Sequence, residues 1–142
     1  MSTTLEYSAV PKDINLAPVP PSSATSVVLG EVIRPVTDAL YVLQGKWKLP
    51  ILLALAPGTK RFGELASELS TITDRMLSKE LKELEANLLI TRLVFEDIPI
   101  KVAYALTDHG ISLHDVIIAL QKWGLQHRKK VGLQQQARFA NR

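Results

Sequence analysis

The chain has no cysteine. That excludes disulfides, thiolate metal sites and cysteine nucleophiles, and it is compatible with a reducing compartment. Aromatic residues are only 6% of the 142, against 46% hydrophobic residues overall, so a core is available but is mainly Leu, Ile, Val and Ala. No apolar run reaches the roughly 20 residues that span a bilayer. The N-terminus lacks the basic start and apolar centre of a signal peptide. The expectation is a cytoplasmic chain of one domain plus tails, with no membrane partner. Glycines number only seven, and no glycine-rich phosphate loop occurs. Spacing suggests no Ser/His/Asp set, and Glu83 and Glu85 fall on different helix faces instead of flanking a cleft. An enzyme is not expected. Among the three histidines, His114 and His127 lie far apart on one helix, so neither a metal site nor a cofactor is expected.

The net charge of +3 tolerates a nucleic-acid partner without demanding one. Residues 1–30 carry one cation, Lys12, against Glu6 and Asp13, so the positive balance lies further along. Four of the eight prolines fall in the same stretch: Pro11, Pro18, Pro20 and Pro21. No helical or strand period persists there, and the segment reads as a flexible arm, free or draped over a partner subunit.

The most informative stretch runs from Phe62 to Leu89. It reads as two helices separated by Ser70-Thr71-Ile72-Thr73, with Thr73 placed to cap the second. In that second helix Leu77, Leu81, Leu84 and Leu88 follow spacings of four, three and four, which puts them on one side. Arg75, Lys79 and Lys82 fall on the opposite side. A helix that buries one face and shows cations on the other can lie in the major groove of DNA. The rival reading is that the cations mark only a wet face. Glu80, Glu83 and Glu85 share the helix, and Lys79 and Glu83 are spaced for an ion pair.

The elements around it give the context. A helix is expected from near Pro35 to Gly45, burying Val36, Ala39, Leu40 and Leu43. A second is expected from about Lys46, with Pro50 near its first turn and Trp47, Ile51, Leu52 and Leu55 on its core face. Lys60-Arg61 is a candidate very short strand before the helix Phe62–Leu69. From Leu88 the period changes to two. Ile90–Phe95 and Lys101–Leu106 read as strands joined by a short tip containing Pro99. A final helix is expected from Thr107-Asp108 to about Val131, with a frayed tail over 132–142. It carries two apolar stripes. Leu113, Val116, Ile117, Leu120 and Trp123 make one; Ile111, Ile118 and Leu125, spaced by sevens, make the other. One stripe can pack on its own domain. The second is expected to meet a copy of itself, unless the N-terminal arm covers it.

Helix–turn–helix followed by a two-stranded hairpin is the winged-helix plan. The expected fold class is α+β, mainly α, with a two-stranded β-wing and a long C-terminal dimerisation helix, over residues 31–131. Arg92 and Lys101 on the wing are placed to meet phosphates.

Four motifs, in order, carry a resemblance: Arg34 to Trp47 (RPVTDALYVLQGKW), Arg61 to Leu65 (RFGEL), Met76 to Glu85 (MLSKELKELE) and Tyr104 to Gly110 (YALTDHG). Over residues 34–124 the chain resembles the HxlR family of bacterial transcriptional regulators, winged-helix proteins related to the MarR group. The resemblance implies a homodimer on a two-fold operator in double-stranded DNA, with residues 73–86 as recognition helix and 90–106 as wing. It places Thr73, Arg75, Met76, Ser78, Lys79 and Lys82 at the DNA, Lys101 and Arg92 on the wing, Lys60 and Arg61 at phosphates, and Lys46 at a helix opening where backbone amides could meet one. One departure matters. Family members that sense electrophiles or oxidants carry a cysteine before the first helix; here Arg34 stands there, so thiol-based sensing is ruled out. A small-molecule effector, in a pocket between the dimer helices and the core, is a weaker expectation with no ligand indicated. The alternative to DNA binding is a winged-helix module for protein–protein contact, its basic ridge merely solvated.

Overall fold

The structure is a computed structural model that describes residues 24–140, with side chains from Leu29 onward. The described residues divide into two compact units, one up to Tyr41 and one from Val42.

The described part of the first unit is helical. α1 runs from Ala24 to Leu43 with Pro35 inside it, so the expected start near Pro35 is corrected to Ala24. Proline removes one amide, and the helix continues past the carbonyl of Glu31 that loses its partner. The expected buried face is also corrected. Val36 and Leu40 are 52% and 60% exposed, Ala39 is exposed, and of that set Leu43 alone is buried. Of the expected arm, residues 24–30 are helical, and 1–23 lie outside the described residues.

In the second unit the order is α2 (Lys48–Leu55), β1 (Lys60–Arg61), α3 (Phe62–Leu69), α4 (Asp74–Ala86), β2 (Ile90–Phe95), β3 (Lys101–Leu106), α5 (Asp108–Ile111) and α6 (His114–Ala140). Gly45, with φ of +92°, adopts a left-handed turn between α1 and α2 that a side chain would disfavour. α2 begins two residues later than expected, and Pro50 falls in its first turn, where a missing amide costs least. The strands make one antiparallel sheet in the order β1-β3-β2. The wing hairpin is therefore anchored by a third, two-residue strand, with Lys60 opposite Tyr104 and Arg61 opposite Ala103. On its other edge β3 pairs with β2, Arg92 opposite Tyr104 and Phe95 opposite Lys101.

Ile51 and Leu55 of α2, Leu65 of α3, Leu77, Leu81 and Leu84 of α4, and Leu89 and Ile90 are fully buried in one core. Burying each such side chain is worth about 1.5–3 kcal/mol. This core holds α4 by its leucine seam and leaves its other face outside.

The last helix departs from expectation in three ways. It is broken, since α5 ends at Ile111 and α6 starts at His114. Ile111 therefore does not share a continuous helix with Ile118 and Leu125. It runs on to Ala140, past Gly132, so residues 132–140 are helix instead of a frayed tail. Finally, no α6 residue is buried: Ile117, and Leu113 just before the helix, are half-buried, whereas Val116, Leu120 and Trp123 are exposed. The broad stripe thus covers its own domain only near Leu113, which packs against the core. Among the described residues no helix is long and apolar enough to cross a membrane.

Candidate nucleic-acid interface

α4 is set by local chemistry at both ends. The hydroxyl of Thr73 accepts a hydrogen bond from the amide of Met76 at 3.2 Å, which satisfies one of the helix's free amides. At the other end Asn87 donates its side-chain amide to the carbonyl of Glu83 at 2.9 Å, and Leu88 turns the chain with φ of +61°.

Between these ends the two faces separate as the spacing predicts. Leu77, Leu81 and Leu84 point into the core, while Arg75, Met76, Lys79 and Lys82 are exposed and Ser78 is half-buried; Leu88, expected on the same seam, is corrected, because the helix ends at Ala86 and the left-handed turn leaves Leu88 70% exposed. Arg92, on β2, stands across from the same helix. Ser78, Lys82, Glu85, Arg92 and Tyr104 border one open groove between α4 and the wing, with Leu81 at its base. Two cations and two hydroxyl-bearing residues in one groove form a surface that can hold a phosphate, and Glu85 is the group that opposes it.

Other expected contacts are less free. The Lys60 ammonium is paired with Glu68 of α3. Lys101 is half-buried on β3 and lies 3.6 Å from the carboxylate of Asp97 at the wing tip. Arg61 is exposed, and its backbone amide donates to Glu64 at 2.7 Å, closing the first turn of α3. Lys46 precedes α2 and does not open it; its ammonium sits 4.8 Å from the centre of the Trp47 ring, a cation–π contact. Ile111 and Leu125 are exposed and Ile118 half-buried.

A buried ion cluster behind α4 escaped the sequence reading. Lys48 of α2 donates to Glu80 at 2.7 Å and to Glu83 at 2.6 Å. Lys48 is 6% exposed and Glu80 8%. Burial works against the Lys48 charge, but the hydrogen bonds to Glu80 and Glu83 and their negative charge outweigh it and raise its pKa above the ordinary lysine value. The same hydrogen bond and the ammonium's charge lower the pKa of Glu83. A signal was present. Lys48 lies three and four residues before Ile51 and Leu52, and Glu80 lies between Leu77 and Leu84, so each helix carries one charge within its apolar face. The cluster bears on the rival reading of α4. Two of the carboxylates that seemed to offset its cations are engaged by Lys48.

The sequence profile of the HxlR-like helix-turn-helix family matches residues 42–131. The chain belongs to this family. Among curated relatives, an uncharacterised HTH-type transcriptional regulator of Bacillus subtilis, YtcD, is 42% identical over 96 residues, covering 68% of this chain and 76% of the relative. The HTH-type regulator YodB of the same organism is 36% identical over 99 residues, covering 69% and 88%. In structure, reduced YodB superposes with a TM-score of 0.60 at 37% identity, over 63% of this chain and 88% of that one. A structure described as a MarR-family regulator from Enterococcus faecalis gives 0.65 at 38% identity, over 70% and 90%. The HxlR-like fold and its relatives make this chain a DNA-binding transcriptional regulator and not an enzyme. YodB has been solved in diamide-treated and quinone-bound forms; the present chain has no cysteine.

Proposed function

We propose that the chain regulates transcription as a homodimer whose two copies present α4 to successive major grooves of a two-fold operator. Arg75, Met76, Ser78, Lys79 and Lys82 face the bases and flanking phosphates, with Thr73 at the start of the helix. The wing lies on the backbone or minor groove through Arg92 and Lys101, and Arg61 meets a phosphate beside α3. Lys46 and Lys60 are secondary contacts, because each is already engaged by Trp47 or Glu68. The observation that carries the reading is the exposed Arg75–Lys79–Lys82 ridge on a helix locked by its opposite face into the core.

Support for the dimer comes from α6. It is 27 residues long, has no fully buried residue in a single copy, and exposes Val116, Leu120, Trp123, Leu125, Leu133 and Phe139. So much unpartnered apolar surface on one helix calls for a second copy. Ile118 and Leu125 are assigned to that interface, with Ile111 at its edge.

Fluorescence anisotropy against duplex DNA from upstream of the protein's own gene, over several salt concentrations and beside a scrambled duplex, tests the reading. The expected result is preference for the native duplex and steep weakening with salt, with a log–log slope of about 0.9 per phosphate neutralised. Salt-insensitive or absent binding to every upstream fragment would favour protein–protein contact instead.

A further inference from the structure

We infer that Lys48 is a positioning residue for DNA recognition. By holding Glu83 from behind α4, it leaves the Lys79 ammonium free to face DNA. The inference rests on the reading of α4 as the recognition helix.

The α4 helix carries three cations, Arg75, Lys79 and Lys82, and four carboxylates, Asp74, Glu80, Glu83 and Glu85. Taken alone it is an acidic helix, a poor surface to bring against a polyanion. Lys48 alters this from the neighbouring helix. It neutralises part of that charge, and it does so from the buried side, where it cannot itself touch DNA.

Glu83 is the contested group. One of its oxygens accepts from Lys48 at 2.6 Å; the other lies 4.0 Å from the Lys79 ammonium. Glu83 and Lys79 are one helical turn apart, a spacing at which ion pairs form readily. The Lys79 side chain is 65% exposed, against 43% for Glu83 and 7% for Lys48. The short bond therefore goes to the buried lysine and the long one to the exposed lysine. Without Lys48 the carboxylate would turn to Lys79, the nearest remaining cation on its own helix. Lys79 would then meet DNA already paired.

Lys48→Met alone would leave Glu80 buried without a partner and endanger the fold. The test therefore uses Lys48→Met combined with Glu80→Gln, which removes the buried pair and leaves no buried charge. Thermal unfolding and circular dichroism check first that the double variant folds. It should bind the operator about fivefold more weakly at low salt, an effect that fades as salt screens it. Adding Glu83→Gln should restore affinity, and Lys48→Arg alone should behave like the parent. Lys79→Ala should weaken the parent protein but have much less effect in the double variant, where Lys79 is already diverted. A role confined to stability would not produce the Glu83→Gln rescue. The inference is overturned if the folded double variant binds like the parent, or if its loss persists after Glu83→Gln. If Lys79→Ala has no effect even in the parent protein, the assignment of α4 as the reading helix fails instead.

Discussion

The carbonyl oxygen of Leu89 lies 2.1 Å from where a Cβ on Gly110 would stand. The turn that ends α4 and the first turn of α5 are thus in backbone contact. Thr107 ties them further: its amide donates to the Leu89 carbonyl at 3.1 Å and its hydroxyl to the Leu88 carbonyl at 2.5 Å. The same hydroxyl oxygen caps α5 by accepting from the Gly110 amide at 3.0 Å. Gly110→Ala is therefore expected to destabilise the fold by about 1–3 kcal/mol, the usual cost of forcing extra volume into a packed site. Urea unfolding measures it. A midpoint equal to that of the parent would show that the two turns separate freely.

The Lys48 cluster should make stability depend on pH in a defined window. The Glu83 pKa is depressed in the folded state, so its contribution is present above about pH 4.3, the ordinary glutamate value, and is lost as pH falls through the folded value. The Lys48 pKa is raised, so its contribution is complete below about pH 10.4 and is lost as pH rises through the folded value. Between these limits the cluster contributes fully. Glu83→Gln should cost the same stability at every pH in that window, and the difference from the parent should shrink as pH drops below about 4. Urea midpoints at pH 7, 4 and 3 test this. A difference that stays constant down to pH 3 would mean that Glu83 gains nothing from Lys48.

On the exposed face of α4, Lys79→Ala and Lys82→Ala should each weaken operator binding about tenfold or more while leaving thermal stability within about 0.5 kcal/mol. The two should differ in character. Lys82 shares its groove with Arg92, so its loss should lower the salt slope by about 0.9, as expected for one phosphate contact. Lys79→Ala should relax discrimination between operator and scrambled duplex. Anisotropy titrations at three salt concentrations separate these effects. Equal affinity for both variants and the parent would move the reading face off α4.

Much of this arrangement could be read from residue order because local signals and tertiary packing agree. Thr73, the leucine seam at 77, 81 and 84, Asn87 and the period-two strands each specify the element in which they are found. Legibility failed where a local signal was overridden or where partners were distant. Pro35 looked like a helix start, yet it is accommodated inside α1. Gly132 and the polar residues after it looked like an end, yet α6 continues through them. Lys48 and Glu80 are 32 residues apart, and no period in the sequence joins them; only the placement of α2 behind α4 does.

Dimerisation is best tested at Leu125. Its side chain is 61% exposed in a single copy, whereas Ile118 is half-buried. Leu125→Asp therefore leaves its carboxylate in water in the monomer and should cost the isolated fold little. Across a helix-to-helix interface the same carboxylate would be buried against apolar surface without a partner, at a cost of several kcal/mol per copy. Light scattering should show the parent protein as a dimer and Leu125→Asp as a folded monomer with unchanged helical circular dichroism. Operator affinity should fall steeply, because one copy can occupy only one half-site. Ile118→Asp should give a monomer as well, but with lower stability, since that side chain also packs within its own copy. If Leu125→Asp remained a dimer at the same concentration, the contact between copies would lie away from this face of α6. The exposed stripe of α1, Leu29, Ile33, Val36 and Leu40, would then be the surface to substitute next.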